Sequence, residues 1–254
     1  MLHVECLGQG RDVVFVHGWG LHGGVWSDTA QRLTHAFRVT LPDLPGHGRS
    51  PMSPQPFTLD DLAEALLAAA PPQAMWVGWS LGALATLAVV QRRPEAVARL
   101  VLVGATPRFV QAPDWAHGTA PQVLPGMARD LEVDFERTLL RFVNLQLGNG
   151  DAERAGLRRL RTELSRHGWP STAALRAGLN ILQTADLRAA LPQIDVPALV
   201  IHGGRDRLAM PAAGEYLART LPQARLHSIA DAGHAPFMSH VDLFTKTVEN
   251  FLHG

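Results

Sequence analysis

Short apolar runs that end in glycine or a polar loop alternate along this chain with longer amphipathic segments. This alternation is typical of a parallel β-sheet covered by helices, so the pattern predicts an α/β fold with a mostly parallel central sheet. Strands are predicted at 13–16, 38–41, 75–77, 100–103, 198–201 and 224–229. Because ligands of open α/β sheets bind outside the carboxyl ends of the strands, the loops after these runs are expected to carry any site.

Helical periodicity is predicted between these strands at 59–70, 81–91, 212–220 and 242–252. After the strand predicted at 100–103, the alternation of strands and helices is interrupted by a proline-rich loop containing Pro113, Pro121 and Pro125. Helical periodicity then appears at 133–147, 152–165 and 171–184. The sequence therefore predicts a core formed by residues 1–109 and 188–254, with a helical cap inserted at 110–187.

The 254-residue chain is 46% hydrophobic and 18% charged, which is the composition of a soluble globular protein. A chain of this size buries enough surface to fold without a disulfide or a structural metal. Basic and acidic residues both number 23, so no net charge attracts the chain to nucleic acid or to an anionic membrane. Cys6 is the single cysteine, and it forms neither an internal disulfide nor a zinc cluster. No metal and no cofactor are expected.

The first residues, MLHVECLGQGRD, contain Glu5 and Asp12 and lack the basic start and apolar stretch of a signal peptide. No apolar run approaches the roughly 18 residues that a membrane span requires. A cytoplasmic location is therefore expected, with neither nucleic acid nor a membrane as partner.

The sequence GWSLG at 78–82 fits the pattern G-x-S-x-G and lies between a predicted strand and a predicted helix. A serine on such a tight turn is held in a strained backbone conformation, and the flanking glycines leave the turn uncrowded. Its hydroxyl is then presented above the sheet. Ser80 is therefore the predicted nucleophile; the alternative is a glycine-rich turn that happens to contain a serine.

A serine hydroxyl requires a base within hydrogen-bond reach, and the base requires an acid to orient it. His234 follows the last predicted strand and is the candidate base. Asp206 follows the strand before it and is the candidate acid, which gives the order Ser80, Asp206, His234 that this turn type leads us to expect. Asp231 is the rival acid, but its position in the same loop as His234 favours a role in the turn. Structural roles are expected for three other histidines, namely His202, which ends a predicted strand, His227 and His240.

The oxyanion of an acyl transfer needs two preorganised donors, each worth about 3 kcal/mol. One is predicted to be the backbone N–H of Leu81, at the N-terminus of a helix, where the helix dipole also favours negative charge. The second is predicted in HGWG at 17–20, and we choose the N–H of Trp19. His17 in the same loop is open to two interpretations: a buried hydrogen bond that braces the loop, which we favour, or proton transfer.

The positions of Ser80, Asp206 and His234 in this alternation resemble those of the α/β-hydrolase family, and HGWG and LPDLPGHGRS resemble its loops. A closer resemblance is carried by GWSLGALATLAV, DFERTLLRFVNLQ, GLNILQTADLR and AGHAPFMSH. These segments resemble the pimeloyl-[acyl-carrier protein] methyl ester carboxylesterases of biotin synthesis over essentially the full length.

The resemblance implies a metal-free serine esterase that removes the methyl ester from a pimeloyl chain on an acyl-carrier protein. It leaves open a general short-chain carboxylesterase, a thioesterase or a C–C hydrolase, because such triads are shared by all of them. A non-catalytic receptor on the same scaffold is a further alternative.

The predicted cap is basic: seven arginines and three acidic residues lie between positions 137 and 166. The resemblance implies that four of them contact the carrier protein, namely Arg137, Arg141, Arg154 and Arg158. The alternative is a solvated helix face. Phe142 is expected either to line an apolar slot for the acyl chain together with Trp19 and Leu81, or to belong to the cap core.

Overall fold

A computed structural model of the chain describes residues 1–53, 55–135, 137–139, 141–142, 158, 162 and 166–254. Within these ranges the strands are β1 (Val4–Leu7), β2 (Arg11–Val16), β3 (Phe37–Pro42), β4 (Ala74–Trp79), β5 (Val97–Val103), β6 (Ala198–Gly203) and β7 (Ala224–Ile229). They form one sheet in the order β1-β3-β2-β4-β5-β6-β7. The α/β class predicted from the hydrophobic pattern is confirmed.

All six predicted strands are present and run parallel to one another. The pattern did not predict β1, which pairs with β3 in the antiparallel direction at the edge of the sheet. This strand has only four residues, and its side chains are half-buried or exposed. It therefore lacks the continuous apolar run by which the buried strands are recognised.

Helices cover both faces of the sheet. In the described ranges they are α1 (Ser27–Leu33), α2 (Leu59–Ala69), α3 (Leu81–Arg92), α4 (Val123–Val133), α5 (Thr172–Thr184), α6 (Pro211–Thr220), α7 (Pro236–Ser239) and α8 (Val241–His253). None of these helices is long and apolar enough to cross a bilayer.

Alternate side chains of β2 pack in two different apolar cores, one on each face of the sheet. Val14 and Val16 pack in the core that contains α2, α3 and the segment before β6. Val13 and Phe15 pack in the opposite core, which contains α1 and α8. This alternation is what the period of two along a strand requires when both faces of a sheet are covered.

The predicted cap differs from the structure at its start. The prolines at 113–125 indicated a loop, but α4 begins at Val123 and contains Pro125 in its first turn. Proline is tolerated there because the first N–H groups of a helix have no intrahelical acceptor. The sequence predicts that a helix begins at Val133. In the structure Val133 is instead the last residue of α4. Most of the two helices predicted at 133–147 and 152–165 lies outside the described residues.

Two parts of the segment between β5 and β6, one near its start and one near its end, lie next to each other. The N–H of Leu187 donates to the carbonyl oxygen of Pro107 at 3.0 Å. An ion pair of 2.7 Å joins the side chains of Arg108 and Asp186 beside this bond. The two ends of the segment are therefore fastened to each other.

Candidate active site

Ser80 occupies a strained turn between β4 and α3. Its φ of 57° and ψ of −116° make it the one non-glycine residue with positive φ in the described part of the chain. A Cβ on Gly78 would lie 2.5 Å from the carbonyl oxygen of Gly82, and one on Gly82 would overlap the carbonyl oxygen of Val16. Glycine is therefore required on both sides of Ser80, which is the physical reason for the G-x-S-x-G pattern.

His234 and Asp206 are joined by a buried hydrogen bond. His234 Nδ1 donates to Oδ2 of Asp206 at 2.7 Å. The other carboxylate oxygen, Oδ1, accepts the backbone N–H groups of Leu208 and Ala209 at 2.8 and 3.0 Å. Burial alone would raise the pKa of Asp206, but the facing His234 and His202 rings keep this pKa well below its usual range. The carboxylate stays charged and holds its proton donor in place.

The imidazole of His234 lies beside the nucleophile turn. The indole N–H of Trp79 donates to the carbonyl oxygen of His234 at 2.9 Å, and Trp79 directly precedes Ser80. Gly104, at the end of β5, has φ of 49°, and a Cβ there would lie 3.0 Å from His234 Nδ1. His234 Nε2 is buried and has no hydrogen-bond partner among the described residues. This nitrogen is therefore free to accept a proton at the carboxyl ends of β4 and β5.

Asp231 is exposed and lies in an ion pair with His240 at 3.2 Å. The hydrogen bond from His240 lowers the pKa of Asp231. The structure thus brings His234 together with Asp206 and joins Asp231 to a different histidine.

A second histidine, His202, for which a structural role is expected from the sequence, lies beside the acid. His202 Nε2 lies 2.8 Å from the carbonyl oxygen of Ala209 and 3.4 Å from Oδ2 of Asp206. The one signal in the sequence is its position four residues before Asp206. Within the described ranges, no group of three or more histidine, cysteine or acidic side chains is arranged to hold a metal ion.

Two backbone N–H groups are available near Ser80. Leu81 is the first residue of α3, and the N–H groups of a first helical turn have no intrahelical acceptor. In the part of the chain that the structure describes, no acceptor is recorded for the N–H of Trp19. Gly18 lets its loop approach closely, because a Cβ there would lie 2.9 Å from the ring of Trp79.

His17 braces this loop. Its Nδ1 lies 2.8 Å from the carbonyl oxygen of Gly18, and its Nε2 accepts the N–H of Leu44 at 2.9 Å. Both ring nitrogens are therefore engaged, in agreement with the favoured interpretation. The neighbouring His47 lies in the same way between the carbonyl oxygen of Pro45 at 3.0 Å and the N–H of Gly20 at 3.4 Å.

These two buried histidines make stability dependent on pH. Burial lowers the pKa of His17 to about 3 and that of His47 to about 4. An unfolded histidine has its pKa near 6.5, so below that pH the unfolded chain binds more protons than the folded one. The stability contribution is present above pH 6.5 and is lost as the pH falls.

We expect the free energy of unfolding to decrease by about 1.4 kcal/mol per pH unit for each extra proton that the unfolded chain binds. The measurement is urea unfolding between pH 7.5 and pH 5. The His47→Gln variant should show a shallower dependence, and His253→Gln, at the exposed C-terminal end, should keep the wild-type slope. A flat wild-type profile over this interval would contradict the prediction.

The side chain of Trp19 packs against residues of the segment between β5 and β6. Its ring meets that of Phe142 edge-on at 4.8 Å. A cavity of about 290 Å³ lies beside Phe142, with Met127 of α4 and Thr138 also in its wall. Phe142 is therefore half-buried between Trp19 and an open space.

The described cap arginines are exposed to solvent. Arg141 Nη1 lies 3.8 Å from Oδ2 of Asp130, and the backbone N–H of Arg137 donates to Asp134. Arg158 is exposed, and Arg154 lies outside the described residues.

Several solved structures have the same fold. An esterase from Exiguobacterium antarcticum superposes with a TM-score of 0.91 at 22% identity, covering 100% of this chain and 96% of that one. An enol-lactonase from Burkholderia xenovorans superposes with a TM-score of 0.87 at 27% identity, again covering 100% and 96%. The first likeness shows the fold alone, given its low identity.

Relatives found by sequence are more similar to this chain than these solved structures are. The chain is 42% identical to a pimeloyl-[acyl-carrier protein] methyl ester esterase of Stenotrophomonas maltophilia, over 99% of this chain and 96% of the relative. It is 43% identical to the esterase of the same name from Chromobacterium violaceum, over 99% and 98%. Residues 13–241 match the family model described as alpha/beta hydrolase fold. This chain therefore belongs to the alpha/beta hydrolase family.

Proposed function

We propose that the protein is a cytoplasmic serine carboxylesterase of biotin biosynthesis. It hydrolyses the methyl ester of a pimeloyl chain carried by an acyl-carrier protein and releases methanol, without a cofactor. The observation that carries this proposal is the identity of 42–43% over nearly the whole chain with esterases of that name. The buried pair of Asp206 and His234 beside the Ser80 turn supports the chemistry.

Ser80 attacks the ester carbonyl in this mechanism. Nε2 of His234, which has no competing hydrogen bond within the described chain, takes the proton from the serine hydroxyl and gives it to the departing methanol. Asp206 holds the imidazole with Nδ1 protonated and stabilises the imidazolium that forms. Water, activated by the same His234, then cleaves the acyl-enzyme and restores Ser80.

The backbone N–H groups of Trp19 and Leu81 bind the oxyanion. Their preorganisation is supported by the braced loop at His17 and by the start of α3, where the helix dipole adds to the attraction. These donors require no reorganisation when the charge develops on the carbonyl oxygen.

The acyl chain lies against Phe142. Its ring adjoins both Trp19 and the cavity of about 290 Å³, whose wall also contains Met127, Asp130 and Arg141. The cap arginines Arg137, Arg141, Arg154 and Arg158 bind the carrier. The exposure of Arg137, Arg141 and Arg158 supports this role, because guanidinium groups bind carboxylates and phosphates in two-point fashion.

A side-by-side hydrolysis assay tests the proposal. The substrates are pimeloyl-carrier methyl ester, free pimelate methyl ester and a series of p-nitrophenyl esters. We expect the highest kcat/KM for the carrier-bound ester. If the p-nitrophenyl esters are hydrolysed and the carrier-bound ester is not preferred, the enzyme is a general short-chain esterase. Release of a thiol from the carrier, in place of methanol, would identify a thioesterase.

The cap arginines are expected to affect binding and not chemistry. The quadruple variant with alanine at 137, 141, 154 and 158 should raise KM for the carrier-bound ester and leave kcat nearly unchanged. These contacts lie far from the reacting carbonyl and are equal in the ground and transition states. Raised salt should imitate the variant, because exposed charges more than about 8 Å apart are screened at physiological ionic strength.

Arg93→Ala is the matched control for this variant, since Arg93 is exposed at the far end of α3. Turnover of a small free ester should stay at the wild-type value in both variants. Equal KM values for the carrier-bound ester in wild type and quadruple variant at low salt would identify the arginines as a solvated face.

A further inference from the structure

One position of α5 contacts both residues whose N–H groups bind the oxyanion. A Cβ on Gly178 would lie 2.5 Å from Cδ1 of the Trp19 ring and 3.1 Å from its Nε1. The same Cβ would lie 3.3 Å from Cδ2 of Leu81. Gly178 is buried and stands in the middle of a helix, where glycine is unfavourable compared with alanine. Helix formation therefore does not account for glycine at this position.

A hydrogen bond fastens the same helix to Trp19. The indole N–H of Trp19 donates to the carbonyl oxygen of Leu175 at 2.9 Å, one turn before Gly178. Trp19 is 1% exposed and Leu81 is fully buried, so both side chains pack in the interior of the protein. The next residue in the loop, Gly20, has φ of 78°, and a Cβ there would lie 2.6 Å from Leu139.

We propose that Gly178 is a positioning residue for the oxyanion hole. The missing side chain lets the indole of Trp19 reach Leu175 and lets Leu81 pack beside it, so that α5 sets the positions of both donors. The inference rests on the donor roles assigned to Trp19 and Leu81 in the proposed function.

The physical reason is the steep dependence of oxyanion stabilisation on geometry. The donors act at about 2.7–3.1 Å from the oxyanion, so a displacement of a few tenths of an ångström weakens them. A methyl group at position 178 displaces the indole, and the Trp19 backbone moves with it. Binding of the ground-state ester depends little on this N–H, because the charge is not yet developed.

The first experiment compares Gly178→Ala with Asn180→Ala. Asn180 lies on the same helix and is exposed. Both substitutions improve helix propensity, because alanine favours the helix more than glycine or asparagine does. Only the methyl group at position 178 meets Trp19 and Leu81. For a small p-nitrophenyl ester we expect Gly178→Ala to lower kcat by about 10- to 100-fold, less than the loss of a whole donor, with KM changed by less than about threefold. Asn180→Ala should have the wild-type kcat.

The second readout is the affinity for an alkyl boronic acid, which forms a tetrahedral adduct with Ser80 and places an oxygen in the oxyanion hole. Its Kd should rise in Gly178→Ala in proportion to the loss of kcat, whatever the melting temperature of the variant. A purely structural role for Gly178 would change the melting temperature and leave the ratio of boronic acid Kd to substrate KM unchanged.

The third experiment removes the indole and so does not depend on the folding of Gly178→Ala. Trp19→Phe loses the bond to Leu175 and should lower kcat by about tenfold. Trp76→Phe is the matched control, because Trp76 is also buried and its indole N–H donates to a carbonyl oxygen, that of Ala96, at 3.3 Å.

Wild-type kcat and boronic acid affinity in Gly178→Ala would overturn the inference, as would equal losses in Trp19→Phe and Trp76→Phe. These results are distinguishable from failure of the proposed function, because a small ester is used and carrier preference does not enter. If Ser80→Ala is inactive while Gly178→Ala resembles wild type, only the positioning role of Gly178 is wrong.

Discussion

Ser80→Ala is expected to lower kcat for every ester by about 10⁴-fold or more, to the level that the oxyanion donors and binding supply by themselves. The substitution removes the one atom that forms the acyl-enzyme. Both alanine and serine carry a Cβ, so the strain of a φ of 57° is the same in the variant. The fold and the free energy of unfolding should therefore be retained.

The measurement is steady-state hydrolysis of the carrier-bound ester and of a p-nitrophenyl ester, with circular dichroism and thermal unfolding as checks of the fold. Ser239→Ala is a control, because the Ser239 hydroxyl contacts only His240 among the described partners and lies outside the proposed mechanism. A wild-type rate in Ser80→Ala would remove Ser80 from the mechanism.

Asp206→Asn is expected to lower kcat by about 10⁴-fold, because the environment of the carboxylate dictates how an amide must sit there. The N–H groups of Leu208 and Ala209 both donate to Oδ1, so the amide oxygen of the substituted side chain takes that place. The NH₂ group of the amide then faces His234 Nδ1 and turns that nitrogen into an acceptor. The imidazole proton moves to Nε2, and the base can no longer accept a proton from Ser80.

Asp231→Asn is the matched control and should retain nearly the wild-type kcat, since Asp231 is paired with His240 at the surface. The comparison uses one small ester at several pH values. Equal losses in the two variants would contradict the assignment of Asp206 as the acid.

The central strands could be predicted because each is a buried apolar run that ends in a tight loop. The edge strand β1 could not, because it has only four residues and shows no such run. Helix α4 was missed because Pro125 indicates a loop in most contexts, whereas in a first helical turn its missing N–H costs nothing. The failure at α4 occurs where position within the helix, and not residue type, decides the structure.

In the candidate site, too, some features could be predicted from the sequence and others could not. Ser80, Asp206 and His234 could be predicted because each lies in a short motif next to a strand end. The contacts around them depend on residues far apart in the chain. For example, nothing in the local sequence around Gly178 indicates that it lies against the ring of Trp19. Such contacts follow from packing, which a pattern along one chain does not contain.

The bond between Leu187 and Pro107 holds the two ends of the segment between them next to each other, an arrangement that suits replacement of the segment as one piece. The bonded atoms at its two ends lie 3.0 Å apart, so a replacement of different length can be joined at the same place, because the entropy of closing a loop grows slowly with its length. Ser80, Asp206 and His234 all lie outside this segment, while Gly178 and Phe142 lie within it. On the roles proposed above, we expect a graft of residues 108–186 from a relative to change substrate choice and the fit to Trp19 while Ser80, Asp206 and His234 stay in place.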